Sequence, residues 1–256
     1  MRISTEYLDM LQSRIDTVAN NIANVNTPGF KEGFIALEES YDAQERNVNA
    51  SYYGGVIPGF QFDNINSNSY NGNRVNFDQG AILETGNPLD MAIYGEGFFQ
   101  VKLPDGKTAY TRAGIFTTDK NNNLVNNEGY FVQPSINIPR DASNITVKND
   151  GKIMGDIDGQ TSVIGQIKLS SFDNPDGLEQ MGGNLFLETD ASGKPTEGIP
   201  GSGELGVIKG GTLEKSNADL VNAMTRLIET QRAYQFDLNV TQDQDEMFKM
   251  AMYLRG

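Results

Sequence analysis

The side chains that could carry chemistry in this chain are mainly carboxylates, because the sequence contains no His and no Cys. Without these residue types, neither a Ser-His-Asp or Cys-His nucleophile nor a His/Cys zinc or haem site can be built. Acidic side chains cluster at Glu38-Glu39 and again at Asp243, Asp245 and Glu246. Paired carboxylates can serve a hydrolase as general acid and base. In polar or helical segments such runs are usually solvated faces, so no catalytic residue is predicted.

Two short motifs resemble ligand-binding loops, but their spacing does not fit. Asp119-Lys120-Asn121-Asn122-Asn123-Leu124 has the acidic and amide side chains of a calcium loop. Its sixth position is Leu124 where the loop needs Gly, and its twelfth is Tyr130 where a bidentate Glu belongs. Gly95-Glu96-Gly97 precedes two aromatic residues and not a helix with Lys-Ser/Thr, so it is not a phosphate loop. The sequence predicts a polar β-turn and a tight turn at these places, with no metal and no cofactor.

The composition of the 256-residue chain favours a β-rich, turn-rich body over a large helical core. Apolar residues make up 38% of the chain and 28 residues are Gly, which suits short strands and tight turns. The length fits one or two domains. The net charge of −14 argues against nucleic acid as a partner, because phosphate binding needs basic patches.

Neither a membrane span nor a cleaved secretory signal is expected. No segment approaches the roughly 18 consecutive apolar residues of a transmembrane helix. Near the start, Glu6 and Asp9 interrupt any apolar region of a signal peptide. Because there is no Cys, stability is expected not to depend on the redox state of the compartment.

The N-terminal region has the periodicity of an amphipathic helix. Apolar residues recur at alternating steps of three and four, which is a heptad seam. The seam consists of Leu8, Leu11, Ile15, Val18 and Ile22. The helix is predicted from about Thr5 to Asn24, roughly 30 Å long at 1.5 Å per residue. Pro28-Gly29 ends the helical pattern.

The C-terminal region has the same character over a longer span, since no Gly or Pro occurs from Thr212 to Arg255. Ser216 and Asp219 are predicted as the N-cap and N3 residues of a capping box. The seam comprises Leu220, Met224, Leu227, Tyr234 and Leu238, with Val221 and Ile228 beside it and Met247, Met250, Ala251 and Leu254 after a polar stretch. A helix of this length, roughly 60 Å, is too long to lie flat on a small domain.

Between the helices, the period changes to two and turn signals multiply, which predicts an antiparallel β-domain from about Ala81 to Ile208. The turn pairs are Asn71-Gly72, Asp105-Gly106, Asp150-Gly151, Asp158-Gly159 and Asp176-Gly177. The predicted strands are Phe98–Leu103, Ala109–Arg112, Ile115–Thr118, Tyr130–Val132, Ile145–Val147, Lys152–Met154, Val163–Phe172 and Leu185–Glu188. Residues 40–79 show no sustained period.

Together these elements predict an α+β fold that is mainly β, in which N- and C-terminal amphipathic helices pair as a coiled coil and an antiparallel β-domain is inserted between them. The predicted regions are an N-terminal helix and loop (1–39), an extended arm or connector (40–80), a β-rich body (81–211) and a C-terminal helix (212–256). Two uses of the seams stay open. They can form an antiparallel coiled coil within one chain, or they can be buried against other subunits in a ring or filament.

Three sequence blocks resemble the signatures of flagellar rod and hook proteins, and they occur in the order found in that family. The first block runs from Ala19 to Lys31 and contains Asn20, Asn21 and Asn24 before Thr27-Pro28-Gly29-Phe30. The second runs from Thr85 to Val101 and continues from Ala109 to Gly114. The third comprises Ser216-Asn217 and the stretch from Ile228 to Tyr234.

The resemblance implies a structural subunit of the bacterial flagellar basal body and not an enzyme. Such a subunit is exported unfolded by the flagellar type III apparatus, without a cleaved signal peptide. It polymerises into the hollow rod that crosses the periplasm or cell wall and carries torque from motor to hook. The implied partners are further copies of the chain, other rod and hook proteins, the export apparatus and, as a further candidate, bushing-ring proteins.

Within that family, the total length and Gly183-Asn184-Leu185-Phe186 resemble a distal-rod protein, with a proximal-rod or hook-type paralogue as the alternative. The seams and the first block predict an assembly interface. Its predicted residues are Leu8, Leu11, Ile15, Val18, Asn21, Ile22, Asn24, Leu220, Met224, Leu227, Ile228, Tyr234, Leu238, Met250 and Leu254. The predicted signature loop is Thr27, Pro28, Gly29 and Phe30.

Two functions outside this family also fit the residues. A secreted binding module would use the β-body as its recognition surface. A carboxylate hydrolase acting on cell-wall glycan would need Asp or Glu side chains roughly 5–9 Å apart in a cleft.

Overall fold

The computed structural model describes residues 2–38 and 69–253 of the chain. A helix lies at each end and short strands lie between, so the fold is α+β and mainly β, as the sequence predicts. The helices are α1 (Arg2–Ala23) and α2 (Leu220–Tyr253). The strands are β1 (Gly33–Glu38), β2 (Ser69–Val75), β3 (Ile82–Glu84), β4 (Met91–Tyr94), β5 (Phe98–Lys102), β6 (Thr108–Thr111), β7 (Phe116–Thr118), β8 (Leu124–Asn126), β9 (Phe131–Val132), β10 (Ser143–Val147), β11 (Lys152–Ile157), β12 (Gln160–Gln166), β13 (Leu169–Ser171), β14 (Glu179–Gly182), β15 (Leu185–Leu187), β16 (Thr196–Gly198), β17 (Val207–Gly210) and β18 (Thr212–Glu214).

The largest sheet among the described residues runs in the order β14-β15-β6-β5-β9-β8-β7, and β13 joins it by pairing with β5 and β16. Strands β10, β11 and β12 form a separate three-stranded meander. Two antiparallel ribbons, β17 with β4 and β18 with β3, carry the chain from the body towards α2. Strands close in sequence pair with each other, as expected where short turns connect antiparallel strands.

The two faces of β5 supply two different cores, because successive side chains of a strand point to opposite faces. Phe99 lies in the larger apolar cluster, where its ring meets the edge of Phe116 at a centroid distance of 5.1 Å. Phe98 lies in an aromatic cluster with Phe77 and Phe186. The sheet is therefore covered on both sides at β5, which makes this strand the centre of the body.

Most of the predicted turn pairs occupy turns, and one does not. The Gly residues of Asp105-Gly106, Asp150-Gly151 and Asp158-Gly159 have φ values of 85°, 78° and 77°, in the left-handed region that Gly adopts most readily. Asn71-Gly72 instead lies inside β2, where these two residues stand opposite a single residue of β1. The pair forms a β-bulge, so the prediction of a turn there was wrong.

The predicted strand Val163–Phe172 is divided between two sheets. Its first part belongs to β12 in the meander, and its second part is β13 in the largest sheet. Ile167 lies between the two strands, fully buried, and its amide donates to the carbonyl of Gly151. The sequence suggested one continuous strand because Ile167, which links the two strands, is apolar, as are residues of the strands on either side.

Helix α2 begins later than the sequence predicts, because the residues before it are bound to the body. Residues Thr212–Glu214 form β18 and pair with β3. The carboxylate of Asp219 accepts hydrogen bonds from the amides of Val221 and Asn222 at 2.8 and 3.0 Å, which makes Asp219 the N-cap. The predicted capping box with Ser216 as N-cap was wrong.

Helix α1 agrees with the predicted N-terminal helix to within a few residues at each end. The predicted arm over residues 40–80 lies mostly outside the described residues, and its described end begins with β2, which pairs with β1. Among the residues that the structure describes, neither helix combines the length and apolar character that a membrane crossing requires.

Candidate functional site: the junction of the helices and the body

The signature loop that follows α1 is held by carboxamide side chains. Asn24 donates to the carbonyl and side-chain oxygens of Asn20, at 2.9 and 3.0 Å, and accepts from the Thr27 hydroxyl at 3.1 Å. Asn21 is buried and exchanges two hydrogen bonds with the backbone of Gly33, at 2.7 and 2.9 Å. A carboxamide presents a donor and an acceptor together. The Asn21 side chain therefore satisfies both backbone groups of Gly33, as a paired strand would do.

The loop then approaches the body so closely that only Gly fits. Gly29 has a φ of 72°, and a Cβ atom there would lie 2.4 Å from the Cα of Ala113. The next residue, Phe30, is buried. The approach brings the loop against the end of β6, where Arg112 lies.

Three charged side chains meet below the loop and are shielded from solvent. Lys31 Nζ lies 2.6 Å from one carboxylate oxygen of Glu214, and Arg112 Nε lies 3.2 Å from the other. The side chains of Lys31 and Glu214 are fully buried, and that of Arg112 is 4% exposed. Lys31 lies between α1 and β1, Arg112 directly follows β6 and Glu214 ends β18, so the cluster joins the segments next to both helices to the body.

Backbone groups complete the coordination of this ionic cluster, which comprises Lys31, Arg112 and Glu214. Lys31 also donates to the carbonyl of Asp78 at 2.7 Å, and Glu214 accepts from the amide of Gly80 at 2.9 Å. The Arg112 Nη1 group donates to the carbonyls of Gly95 and Gly97, at 2.9 and 2.7 Å. The predicted tight turn at Gly95-Glu96-Gly97 is therefore present, and its carbonyls face a guanidinium.

Two cations share one carboxylate, so the cluster has a formal charge of +1, and its electrostatics are dominated by burial. Burial lowers the pKa of the Lys31 ammonium, Glu214 opposes this shift, and the charge of Arg112 lowers the pKa further. Removing one partner from a buried ion pair typically costs about 3–5 kcal/mol, because the other charge is left without compensation. Loss of the Glu214 carboxylate would therefore leave both Lys31 and Arg112 without their charge partner.

Asn217 makes a second connection at the junction, three residues after Glu214. Its side-chain oxygen accepts from the amide of Glu32 at 2.7 Å. Its side-chain nitrogen donates to the carbonyls of Asn76 and Asp78, at 2.9 and 3.0 Å. The Asn217 side chain thus joins three parts of the chain: the residue before β1, the segment after β2 and the segment before α2.

Beyond the junction, the two helices contact each other in antiparallel orientation. Arg226 pairs with Glu32 at 3.0 Å, and the Tyr234 hydroxyl lies 3.5 Å from Gln12 Oε1. On α2, Ala223 and Thr230 are buried. This ion pair joins α2 to the residue before β1, and it adds little to stability because its Arg226 side is solvent-exposed.

The predicted assembly residues divide into buried and exposed groups. Leu11, Asn21, Gly29 and Phe30 are buried, and Leu8, Ile15, Val18, Ile22, Asn24, Thr27, Pro28, Leu227, Tyr234 and Leu238 are partly buried. Leu220, Met224, Ile228 and Met250 are exposed. Leu254 lies outside the described residues. The sequence pattern did not single out Lys31, Arg112 and Glu214, because charged residues far apart in sequence carry no local sign of burial.

The polar turn at Asp119 lies in the body between β7 and β8. Asp119 accepts from the amides of Asn121 and Asn123 at 2.8 Å each, so its carboxylate closes the predicted β-turn. The backbone hydrogen bond from Asn123 is the main cause of the lowered pKa of Asp119. In the described ranges, no group of three or more Asp or Glu side chains is placed to hold a metal ion.

Comparison with known proteins gives a consistent set of relatives. Family models match residues 1–31 (flagella basal body rod protein), 92–155 (flagellar hook protein FlgE/F/G D1 domain) and 209–254 (flagellar basal body rod FlgEFG protein C-terminal). The flagellar basal-body rod protein FlgG of Caulobacter vibrioides is 38% identical over 100% of this chain and 99% of its own length. FlgG of Bacillus subtilis is 36% identical over 95% of this chain and 94% of its own length. The chain belongs to the flagellar basal-body rod protein family.

The family is structural, so this rod protein is a component of the flagellar basal body and not an enzyme. A relative with a different family name, the rod protein FlgF of Mesorhizobium japonicum, is 27% identical over 88% of this chain. The three family models also divide the ionic cluster: Lys31, Arg112 and Glu214 fall in the first, second and third matched segments. The cluster is therefore where the three segments of the rod protein meet.

Proposed function

We propose that this rod protein is a distal-rod subunit that polymerises through its two terminal helices into a hollow, torque-transmitting shaft. The observation that carries the proposal is the apolar surface that α2 keeps exposed after α1 has packed against it. The assignment to the distal rod is supported by relatives named FlgG that are 36–39% identical over nearly the full length.

The face of α2 turned to α1 and the exposed apolar face are different. Ala223, Leu227, Thr230 and Tyr234 follow one another at steps of four, three and four, and all are buried or partly buried. The residues of the exposed stripe are Val221, Met224, Ile228, Phe236, Met247 and Met250, with exposed fractions from 48% to 72%. An apolar stripe of this extent on a soluble helix is typical of a protein–protein contact.

The difference in helix length points to the same conclusion. Tyr234 lies opposite Gln12, which is ten residues after the start of α1, whereas α2 continues for nineteen residues after Tyr234 to Tyr253. About nine residues of α2, roughly 13 Å at 1.5 Å per residue, therefore extend past the described part of α1. Met247 and Met250 lie in this overhang, where a second copy can cover them.

In this proposal the predicted interface divides between two contacts. A coiled coil within the chain is formed by Leu8, Leu11, Ile15, Val18, Ile22, Leu227, Tyr234 and Leu238. Asn21, Asn24 and the signature loop set the angle of α1. Leu220, Met224, Ile228 and Met250, and Leu254 from the undescribed end, are buried against neighbouring copies. The chain is organised as helix and loop (1–39), connector (40–80), body (81–211) and C-terminal region (212–256).

The proposal also covers the route and the neighbours of the subunit. Export through the flagellar apparatus without a cleaved signal peptide follows from the family resemblance of the N-terminal block. Other rod and hook proteins would bind at the two ends of the polymer through their own terminal helices, with bushing-ring proteins as candidate contacts of the outer surface.

The test compares polymerisation of the full chain with variants in two places. Met224→Gln with Ile228→Gln removes apolar area from the stripe on α2. Val163→Gln with Met181→Gln removes similarly exposed apolar area from the body and is the matched control. We expect the stripe variant to raise the monomer concentration needed for polymerisation by at least roughly ten-fold, since each lost contact costs about 1 kcal/mol or more. Equal effects of the two variants would place the interface elsewhere.

A further inference from the structure

The end of the signature loop and the two residues after it bind the chain's C-terminal part. Three of the four positions from Gly29 to Glu32 make such a contact. The amide of Gly29 donates to the carbonyl of Glu214 at 2.7 Å, and Lys31 pairs with the carboxylate of the same residue. The amide of Glu32 donates to the side chain of Asn217. The loop therefore rests on residues that are separated from it by more than 180 positions of sequence.

The core of the body is complete without these C-terminal residues. The buried residues of its largest cluster extend from Met91 to Ile208, and Ile208 precedes Glu214 by six positions. The aromatic cluster is built from residues between Val75 and Phe186. Formation of the body core and docking of the loop are therefore separable events in this chain.

Docking of the loop without Glu214 would bury an uncompensated cation. Lys31 would then keep the carbonyl of Asp78 and the weak attraction of the Asp78 carboxylate, but it would lie near Arg112, which is already a buried cation. The formal charge of the cluster would rise from +1 to +2 in a place that water does not reach. An unpaired charge strongly opposes docking, because the buried site does not replace the hydration that the charge loses.

We propose that Glu214 is a closing device that makes docking of the N-terminal loop conditional on the C-terminal segment. Until β18 has paired with β3 and delivered Glu214, residues 24–33 stay off a body that is otherwise folded. Arrival of Glu214 neutralises one cation, and the loop, with the root of α1, then docks. This inference concerns the single chain and does not depend on polymerisation.

The test measures hydrogen exchange in the full-length monomer, peptide by peptide. Glu214→Gln keeps the size of the side chain and removes its charge. We expect exchange of the amides in residues 24–33 to accelerate by at least roughly ten-fold, since opening of a locally stable segment sets this rate. Exchange in β5 and β8 is expected to stay within about two-fold of the original rate. Glu197→Gln, which alters a half-exposed pair with Lys168, is the control and is expected to change neither region.

A double variant separates charge from lost hydrogen bonds. Lys31→Met with Glu214→Gln removes one cation and the carboxylate, so the cluster returns to +1, its charge in the original chain. We expect exchange in residues 24–33 to slow again, to within about three-fold of the original rate, because no additional charge is buried. The proposal is overturned if Glu214→Gln leaves the loop protected, if the body loses protection equally, or if the double variant exchanges as fast as Glu214→Gln.

Discussion

Substitution of Gly29 by Ala tests how the signature loop is seated on the body. Both its backbone conformation and the space around it resist a side chain. The φ of 72° costs an Ala residue about 1–2 kcal/mol. A methyl group would also lie 2.4 Å from the Cα of Ala113, where carbon atoms in contact normally stand about 3.5–4.0 Å apart.

The loop must therefore move by about 1 Å or more, and overpacking of this kind typically costs about 1–3 kcal/mol. The movement also withdraws Lys31, two residues later, from Glu214. We expect Gly29→Ala to lower the free energy of opening the loop by about 2–5 kcal/mol in total.

Gly106 provides the matched control, because its φ is 85° and nothing lies within 4 Å of the position of its Cβ. Gly106→Ala keeps the conformational cost of about 1–2 kcal/mol and lacks the steric one. The opening free energy is measured by native-state hydrogen exchange of residues 24–33. Global stability is followed in urea by circular dichroism and Tyr fluorescence, since the chain has no Trp. If Gly29→Ala leaves the exchange of the loop unchanged, the close approach to Ala113 does not seat the loop.

Three further predictions concern the helices and the body. Asp219→Ala removes the cap that binds the amides of Val221 and Asn222, and should cost the first turn of α2 about 1 kcal/mol, seen as faster amide exchange there. Burial raises the pKa of Tyr110 to about 12, so the unfolded chain releases this proton first and stability should fall as the pH rises from 10 to 12. Tyr110→Phe should reduce that fall in alkaline urea titrations. Phe236 is 72% exposed. The substitution Phe236→Gln should raise the monomer concentration needed for polymerisation roughly ten-fold.

Each of these has a comparison that decides it. Asp243→Ala changes an exposed carboxylate within α2 and should leave the first turn intact. An unchanged alkaline profile in Tyr110→Phe would show that other groups cause the loss of stability. Phe131→Gln alters an exposed aromatic residue of the body, and an equal effect on polymerisation would remove the special role of the stripe on α2.

Local signals in the sequence predicted the elements well where a single segment decides its own structure. Alternation of apolar residues placed β5, β6 and β15 to within a residue or two, and the Asp-Gly pairs marked real turns. The turn predicted at Asn71-Gly72 was wrong because Gly inside a strand also marks a β-bulge, and the sequence does not distinguish the two. The start of α2 was misplaced because Asn217 and β18 are held by the body, and tertiary contacts override helix propensity.

The phase of the helix contact was harder to predict from the sequence. The apolar seam of α1 was expected to be the buried face, whereas the polar residues Thr17 and Asn21 are more deeply buried than Ile15 or Val18. Asn21 is buried because it serves the backbone of Gly33, a partner that no helical period reveals. A period identifies an apolar face, but contacts outside the helix decide which face turns inward.

The ionic cluster shows the limit of reasoning from single segments. The resemblance to flagellar rod proteins included Lys31 and Arg112 within its motifs, but gave neither residue a physical role. Glu214 stood in a region predicted to be helical and outside those motifs. Only the fold reveals that the three side chains meet, because their proximity depends on strand pairings along the whole body.

The chain enters the body at Glu32 and leaves it at Asn217, and these two residues are hydrogen-bonded to each other. Whatever lies between them can change in length without redirecting either helix. The turns at Gly106 and Gly159 have open space around them, so inserted hairpins there would enlarge the body and leave the hydrogen bond between Glu32 and Asn217 unchanged. In the proposed polymer, this junction would let related chains keep one arrangement of helices while their bodies differ in size.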